Sequence, residues 1–280
     1  LRTRKTMILG MLTPDITNPF HSWLFRAVEE RAKAAGYDVI LCNTDDEPDR
    51  SKKVIQTLSE GHVDGLLVAT ARKDDTSLDL LREIGMPYVL LNRHRDRADE
   101  PWYGPDAFRV GWSGGEHLVA LGHRRIAFLL GDLAIGQMAD RLSGFRAVMA
   151  AKELPLSGEL VVTGLKSRIE ASEATRSLLG LAPSARPTAI FVPNTILTEG
   201  AVHAVHAVRL NVPEDISVLG YSAGRAPEVT SLCVPTAEIG RRATEHLIAF
   251  LATGAEGPVP GGPVNIDVPI VDRGTTAPLP

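Results

Sequence analysis

The chain has 280 residues, 44% hydrophobic and 23% charged, which excludes intrinsic disorder and leaves ample apolar material for one or two cores. Thirty-four acidic against thirty basic side chains give a formal charge of -4, so the chain as a whole lacks the cationic footprint of a nucleic-acid binder. Cys42 and Cys233 stand far apart, which argues against a disulfide framework, a CxxC redox pair or structural zinc, and neither a roughly 20-residue apolar span nor a signal-like opening is present. A cytoplasmic protein is expected.

From the front, short apolar runs alternate with helical periodicity, the pattern of βαβ units and a mainly parallel sheet. Met7 to Leu12 reads as a strand, and from Asn18 the period becomes 3.6, with Phe20, Trp23, Leu24, Ala27 and Val28 on one face, until Gly36 closes the helix. Strand Val39 to Leu41, helix Asp49 to Glu60, strand Gly65 to Ala69, helix Ser77 to Ile84 and strand Tyr88 to Leu91 follow. Arg93 to Pro105 is charged and aperiodic, as a crossover between domains is.

The alternation then restarts: helix Phe108 to Leu121, strand Ile126 to Leu130, helix Arg141 to Lys152, strand Leu160 to Val162, helix Ile169 to Leu179, strand Ala189 to Val192, helix Thr198 to Val208 and strand Ile216 to Gly220. A second irregular stretch, Ser222 to Pro235, precedes a helix near Ile239 to Leu251 and a strand near Val264 to Ile270. The expected fold is α/β, with two doubly wound parallel-sheet subdomains and a ligand cleft between them, since open sheets bind ligands at the carboxyl ends of their strands. The expected division is 1–103 with about 232–258, and 104–231 with about 259–280.

Three strings suggest chemistry and each has a plainer reading. Gly220-Tyr221-Ser222-Ala223-Gly224 matches the GxSxG nucleophile elbow of a serine hydrolase. Pro227 interrupts the helix that an elbow needs, and the only downstream histidine is His246, so a turn after a strand is the alternative. His203 and His206, three apart on one helix, offer two metal ligands without a third, or two surface histidines. Gly111 to Gly115 lacks the GK[ST] ending of a phosphate cradle and reads as small residues for close helix packing. No catalytic residue, metal or cofactor is expected.

Polar residues after predicted strands carry more. Asp15, Asn18, Asn92, Arg93, Asn194 and Ser222 stand there, Arg141 opens a helix, and Phe20 offers a flat apolar platform. Fixed donor forks together with an aromatic face suit a polyhydroxylated ligand.

The strings TPDITNPF (13–20), AAGYDVILCNT (34–44), VDGLLV (63–68), LGHRRIAFLLG (121–131), RLSGFRAV (141–148) and VPEDISVLGY (212–221) together resemble the LacI/GalR family of bacterial transcriptional regulators. The match is collinear over nearly the whole chain, ending with VPTAEIG (234–240). The resemblance implies a core like the type I periplasmic sugar-binding proteins, two subdomains joined by three crossovers, and a homodimer. It implies that the basic opening LRTRKT follows the hinge helix, so that operator DNA is met only through a helix-turn-helix head absent from this chain. A solute-binding protein of a sugar transporter is the alternative.

Carried over by position, the effector pocket falls on Phe20, His21, Asn92, Arg93, Arg141, Asn194 and Ser222. Where the family commonly has acids, this chain has Thr195 and Ser222. With Arg93 and Arg141 retained and His21 beside them, the effector is expected to be a sugar or sugar derivative bearing an acid, which would relieve the desolvation cost of two facing arginines.

Overall fold

Continuous apolar runs become strands buried on both faces wherever helices cover a parallel sheet. The computed structural model describes residues 5–70, 72, 76–95, 97–223 and 229–279. The basic residues Arg2 and Arg4, Gly224 at the end of the serine string and Pro227 after it lie outside the described residues. In chain order the elements are β1 (Ile8–Thr13), α1 (Pro19–Ala34), β2 (Asp38–Asn43), α2 (Pro48–Ser59), β3 (Gly65–Val68), α3 (Ser77–Glu83), β4 (Tyr88–Leu91) and β5 (Trp102–Gly104). Then come α4 (Ala107–Ala120), β6 (Ile126–Leu129), α5 (Gly136–Ala151), β7 (Val161–Val162), α6 (Arg168–Leu179), β8 (Ala189–Phe191), α7 (Thr195–Ala207) and β9 (Ser217–Ala223). The last are β10 (Ser231–Val234), α8 (Thr236–Thr253), β11 (Pro263–Asn265) and β12 (Ile270–Val271).

The chain divides into two units, Leu1–Gly104 with Pro235–Ile266, and Pro105–Val234 with Asp267–Pro280. The first has a parallel sheet of order β11-β5-β4-β3-β1-β2. Its register sets Thr13 beside Asn43, and Leu12 beside Val68, so the carboxyl ends of β1, β2 and β3 share one edge. Helix α1 starts where Asn18 accepts a hydrogen bond from the Phe20 amide and Pro19 takes the first turn. It packs on α8, with Gly240 so close that a Cβ there would stand 2.7 Å from the Ala27 Cβ. The other face buries Ile55, Leu58, Leu78 and Leu81 against Leu66, Val68 and Leu90.

The second unit's sheet has order β12-β10-β9-β8-β6-β7, parallel except for the antiparallel pair β10/β12. Helices α6 and α7 cover one apolar face with Ala171, Leu178, Leu197 and Val205. Under α4 and α5, Phe128 of β6 stacks on Phe145 of α5 with ring centroids 4.4 Å apart, and Phe191 of β8 meets Phe128 edge-on at 5.1 Å. The glycines of α4 are there for packing: a Cβ on Gly111 would stand 1.9 Å from the Arg141 carbonyl oxygen, and one on Gly144 of α5 would stand 2.0 Å from that of Phe108.

Five expectations change. Trp102–Gly104 and Ser231–Val234, read as irregular, are strands of three and four residues, too short for a period to register and formed by pairing with β4 and β9. Helix α5 begins at Gly136, five residues before Arg141, with no side-chain cap to announce it. Helix α7 begins at Thr195 because the Asn194 side chain caps the Leu197 amide. The single strand expected over Val264 to Ile270 is two: β11 joins the first sheet and β12 the second.

Candidate functional site

In the first unit, polar groups gather where the strands end. Thr13 closes β1, Thr70 follows β3 and His21 sits in the first turn of α1. Among the described residues, the buried Thr13 Oγ1, Thr70 Oγ1 and His21 Nδ1 have no hydrogen-bond partner. Leaving such atoms dry costs on the order of 1–3 kcal/mol each. Phe20 packs edge-on against His21 with ring centroids 5.2 Å apart. Burial, and then the nearby charge of Arg93, lower the His21 pKa to about 3, so its ring is neutral at physiological pH.

Asn92 and Arg93 follow β4. Asn92 takes a left-handed backbone, φ 61°, as do the consecutive Asp45 and Asp46 after β2 at 56° and 59°; Asn and Asp tolerate that region best among non-glycine residues. The Asn92 amide donates to the Tyr103 carbonyl at 2.8 Å. Arg93 is almost fully buried and meets the Asp46 carboxylate through both terminal nitrogens, Nη2 to Oδ2 at 3.0 Å and Nη1 to Oδ1 closer still. This is a bidentate, charge-assisted pair. The expectation that no acid stands beside Arg93 is therefore corrected. Neither Asp46 nor the unpartnered threonines were singled out in the sequence: a threonine after a strand carries no distinctive pattern, and Asp46 lies 47 residues from its arginine.

In the second unit, Arg141 is 3% exposed. Its guanidinium lies over the Tyr221 ring, 4.3 Å from the centroid, with Nη2 donating to Tyr221 Oη at 2.8 Å and Nη1 to the Pro193 carbonyl at 2.5 Å. Burial raises the Tyr221 pKa against the opposing pull of Arg141, so the phenol stays protonated. Arg141 thus ties α5 to the ends of β8 and β9. Asn194 spends its side-chain oxygen capping α7 at 3.1 Å, which leaves its amide nitrogen for other contacts. Ser222 is buried within β9, opposite Cys233 in the β9/β10 pair, its Oγ 3.3 Å from the Cys233 sulfur. It stands in a strand whose next described element is β10 rather than at the strand–helix turn of a nucleophile elbow. The structure thus groups Phe20, His21, Asn92 and Arg93 in one unit and Arg141, Asn194 and Ser222 in the other. Among the described residues no group of three or more His, Cys, Asp or Glu is placed to hold a metal, and no helix is long and apolar enough to cross a membrane.

Two open α/β units, each with polar side chains at the carboxyl ends of a mainly parallel sheet, define a small-molecule-binding core of the periplasmic-binding-protein class. The family described as periplasmic binding proteins and sugar binding domain of LacI family matches residues 6–260. The chain is 31% identical over 258 residues to the HTH-type transcriptional repressor PurR of Mannheimia succiniciproducens, covering 90% of this chain and 77% of that protein. It is 31% identical over 254 residues to the ribose operon repressor of Escherichia coli, covering 89% and 76%. A LacI-family transcriptional regulator from Enterococcus faecium, solved with bound ribose, superposes with TM-score 0.80 at 25% identity, over 98% of this chain and all of that one. The regulator CcpA of Lactococcus lactis shares the fold with TM-score 0.85 at 22% identity, over 98% and 100% of the two chains. The chain belongs to the LacI family. These relatives are transcriptional regulators rather than enzymes.

Proposed function

We propose that the chain is the ligand-sensing core of a cytoplasmic LacI-type transcriptional regulator without catalytic activity, and that its effector is a neutral sugar bound at strand-end residues. The observation that carries the ligand class is the pairing of Arg93 with Asp46 beside a neutral His21. Of the three positive groups that favoured an acid, one is already neutralised and one carries no charge. What remains in the first unit is a set of buried hydroxyl and imidazole groups with no partner among the described residues, suited to sugar hydroxyls, with Phe20 beside His21 as an apolar surface. In the second unit Arg141 and the Asn194 amide supply donors.

The PurR relatives are named HTH-type repressors, and in this chain's full-length protein operator DNA is met through such a head, with the core acting as a homodimer. The effector acts through unequal affinity for the DNA-competent and DNA-incompetent arrangements of the core, since a ligand that binds both equally shifts nothing. A thermal-shift panel of matched pairs tests the reading: ribose with ribose 5-phosphate, glucose with gluconate. A neutral member stabilises and its acid partner does not. Stabilisation by the acids alone would overturn it.

A further inference from the structure

His203 and His206 remain outside this reading, yet they stand on the rim of a cavity of about 460 Å³ in the second unit. Its apolar wall is four valines: Val202 on α7, Val212 in the loop after it, Val218 on β9 and Val229 just before β10. Thr198 and Thr275 complete the lining with their hydroxyls already engaged. The Thr198 hydroxyl lies 2.7 Å from the Asn194 carbonyl and 2.9 Å from that of Val192, and Thr275 donates to the Val218 carbonyl at 2.7 Å. These threonines therefore offer methyl groups rather than hydrogen bonds. The carboxylate of Glu199, at the same rim, is met by the Arg168 guanidinium. The two imidazoles are exposed, and among the described residues their ring nitrogens have no hydrogen-bond partner. Among the described residues no third His, Cys, Asp or Glu is placed with them as a metal ligand.

The volume lies within the roughly 300–1,000 Å³ of small-molecule cavities, and the chemistry is one-sided: apolar walls, imidazole donors at the mouth and an acid already neutralised. We infer that this cavity is a second ligand site, distinct from the sugar site, for a small aromatic or branched-chain carboxylate whose apolar body lies on the valines and whose oxygens meet His203 and His206. An occupant would also be felt at the sugar site's edge. The Tyr221 amide donates to the Thr198 hydroxyl at 3.3 Å, and Tyr221 holds Arg141.

Benzoate titrated into the isotope-labelled 280-residue chain, followed by imidazole NMR, tests this. Saturable shifts at His203 and His206, with the buried His123 ring unmoved, are expected. The exposed double variant His203→Gln/His206→Gln should weaken benzoate by about tenfold, and Val202→Trp, which fills the cavity, should abolish binding. Shifts that are absent or rise linearly with benzoate would overturn the site, as would affinity unchanged in the double variant. The surface double variant decides the matter even where Val202→Trp unfolds, and none of these outcomes depends on the identity of the sugar.

Discussion

Arg93 and Asp46 come from the ends of two strands that are not neighbours in the sheet, β4 and β2, yet their side chains form a two-pronged ion pair with the arginine almost wholly out of water. Removing one member strands the other. Asp46→Ala should cost about 2 kcal/mol, discounted from a fully buried pair because the Asp46 side chain is 27% exposed. Asp46→Asn leaves the guanidinium charge unanswered, so gluconate should gain affinity relative to glucose. Denaturant titration and paired calorimetry read the two effects, and an unchanged preference would show that Arg93 is not in contact with the effector.

His21 makes stability depend on pH. Its pKa is near 6.5 when unfolded and about 3 when folded, so between those values the unfolded chain binds the extra proton. The stability it contributes is complete above about pH 6.5, begins to fall there, and is lost as pH drops towards 3. His123, with Nδ1 3.0 Å from the Thr188 hydroxyl and Nε2 3.1 Å from the Ala277 carbonyl, is also lowered by burial and adds to the loss in the same direction. His21→Gln should flatten the decline in melting temperature between pH 7 and 5. An identical slope would place the acid sensitivity elsewhere.

Gly111 allows the α4 backbone to lie on that of α5. Gly111→Ala forces the helices apart and should destabilise by about 3 kcal/mol, the upper range for overpacking. Gly158→Ala, with nothing within 4 Å of its added Cβ, should be near neutral. Comparison of the two denaturation midpoints checks the claim. Since Gly111 touches the Arg141 carbonyl, its substitution should weaken sugar binding as well.

Arg141→Lys keeps the charge but loses the fork that spans Tyr221 and Pro193. A loss of about 2 kcal/mol in sugar affinity is expected, measured by calorimetry on the sugar that most raises the melting temperature. Unchanged affinity would confine Arg141 to holding α5 against β8 and β9.

The parts legible in the sequence were those written locally. Apolar runs such as Gly65–Val68 and Tyr88–Leu91 are strands because every one of their residues is buried, and the glycines of α4 carry their packing role on their face. β5 and β10 were not legible because three or four residues acquire strand geometry from their neighbours in the sheet. The charge of the first unit's strand ends was misread for a related reason. Counting Arg93 was possible from one position, but its neutralisation depends on a turn of two left-handed aspartates after β2, which local pattern does not announce.

The nitrogen resonances of the His21 ring give the most direct measurement, because Nδ1 is a buried atom with no partner among the described residues. Titrating the stabilising neutral sugar into labelled protein should move Nδ1 as it gains a hydrogen bond, with the ring remaining neutral. A sugar that raises the melting temperature while both His21 nitrogens stay unchanged would contradict the placement of the effector at the carboxyl ends of the strands.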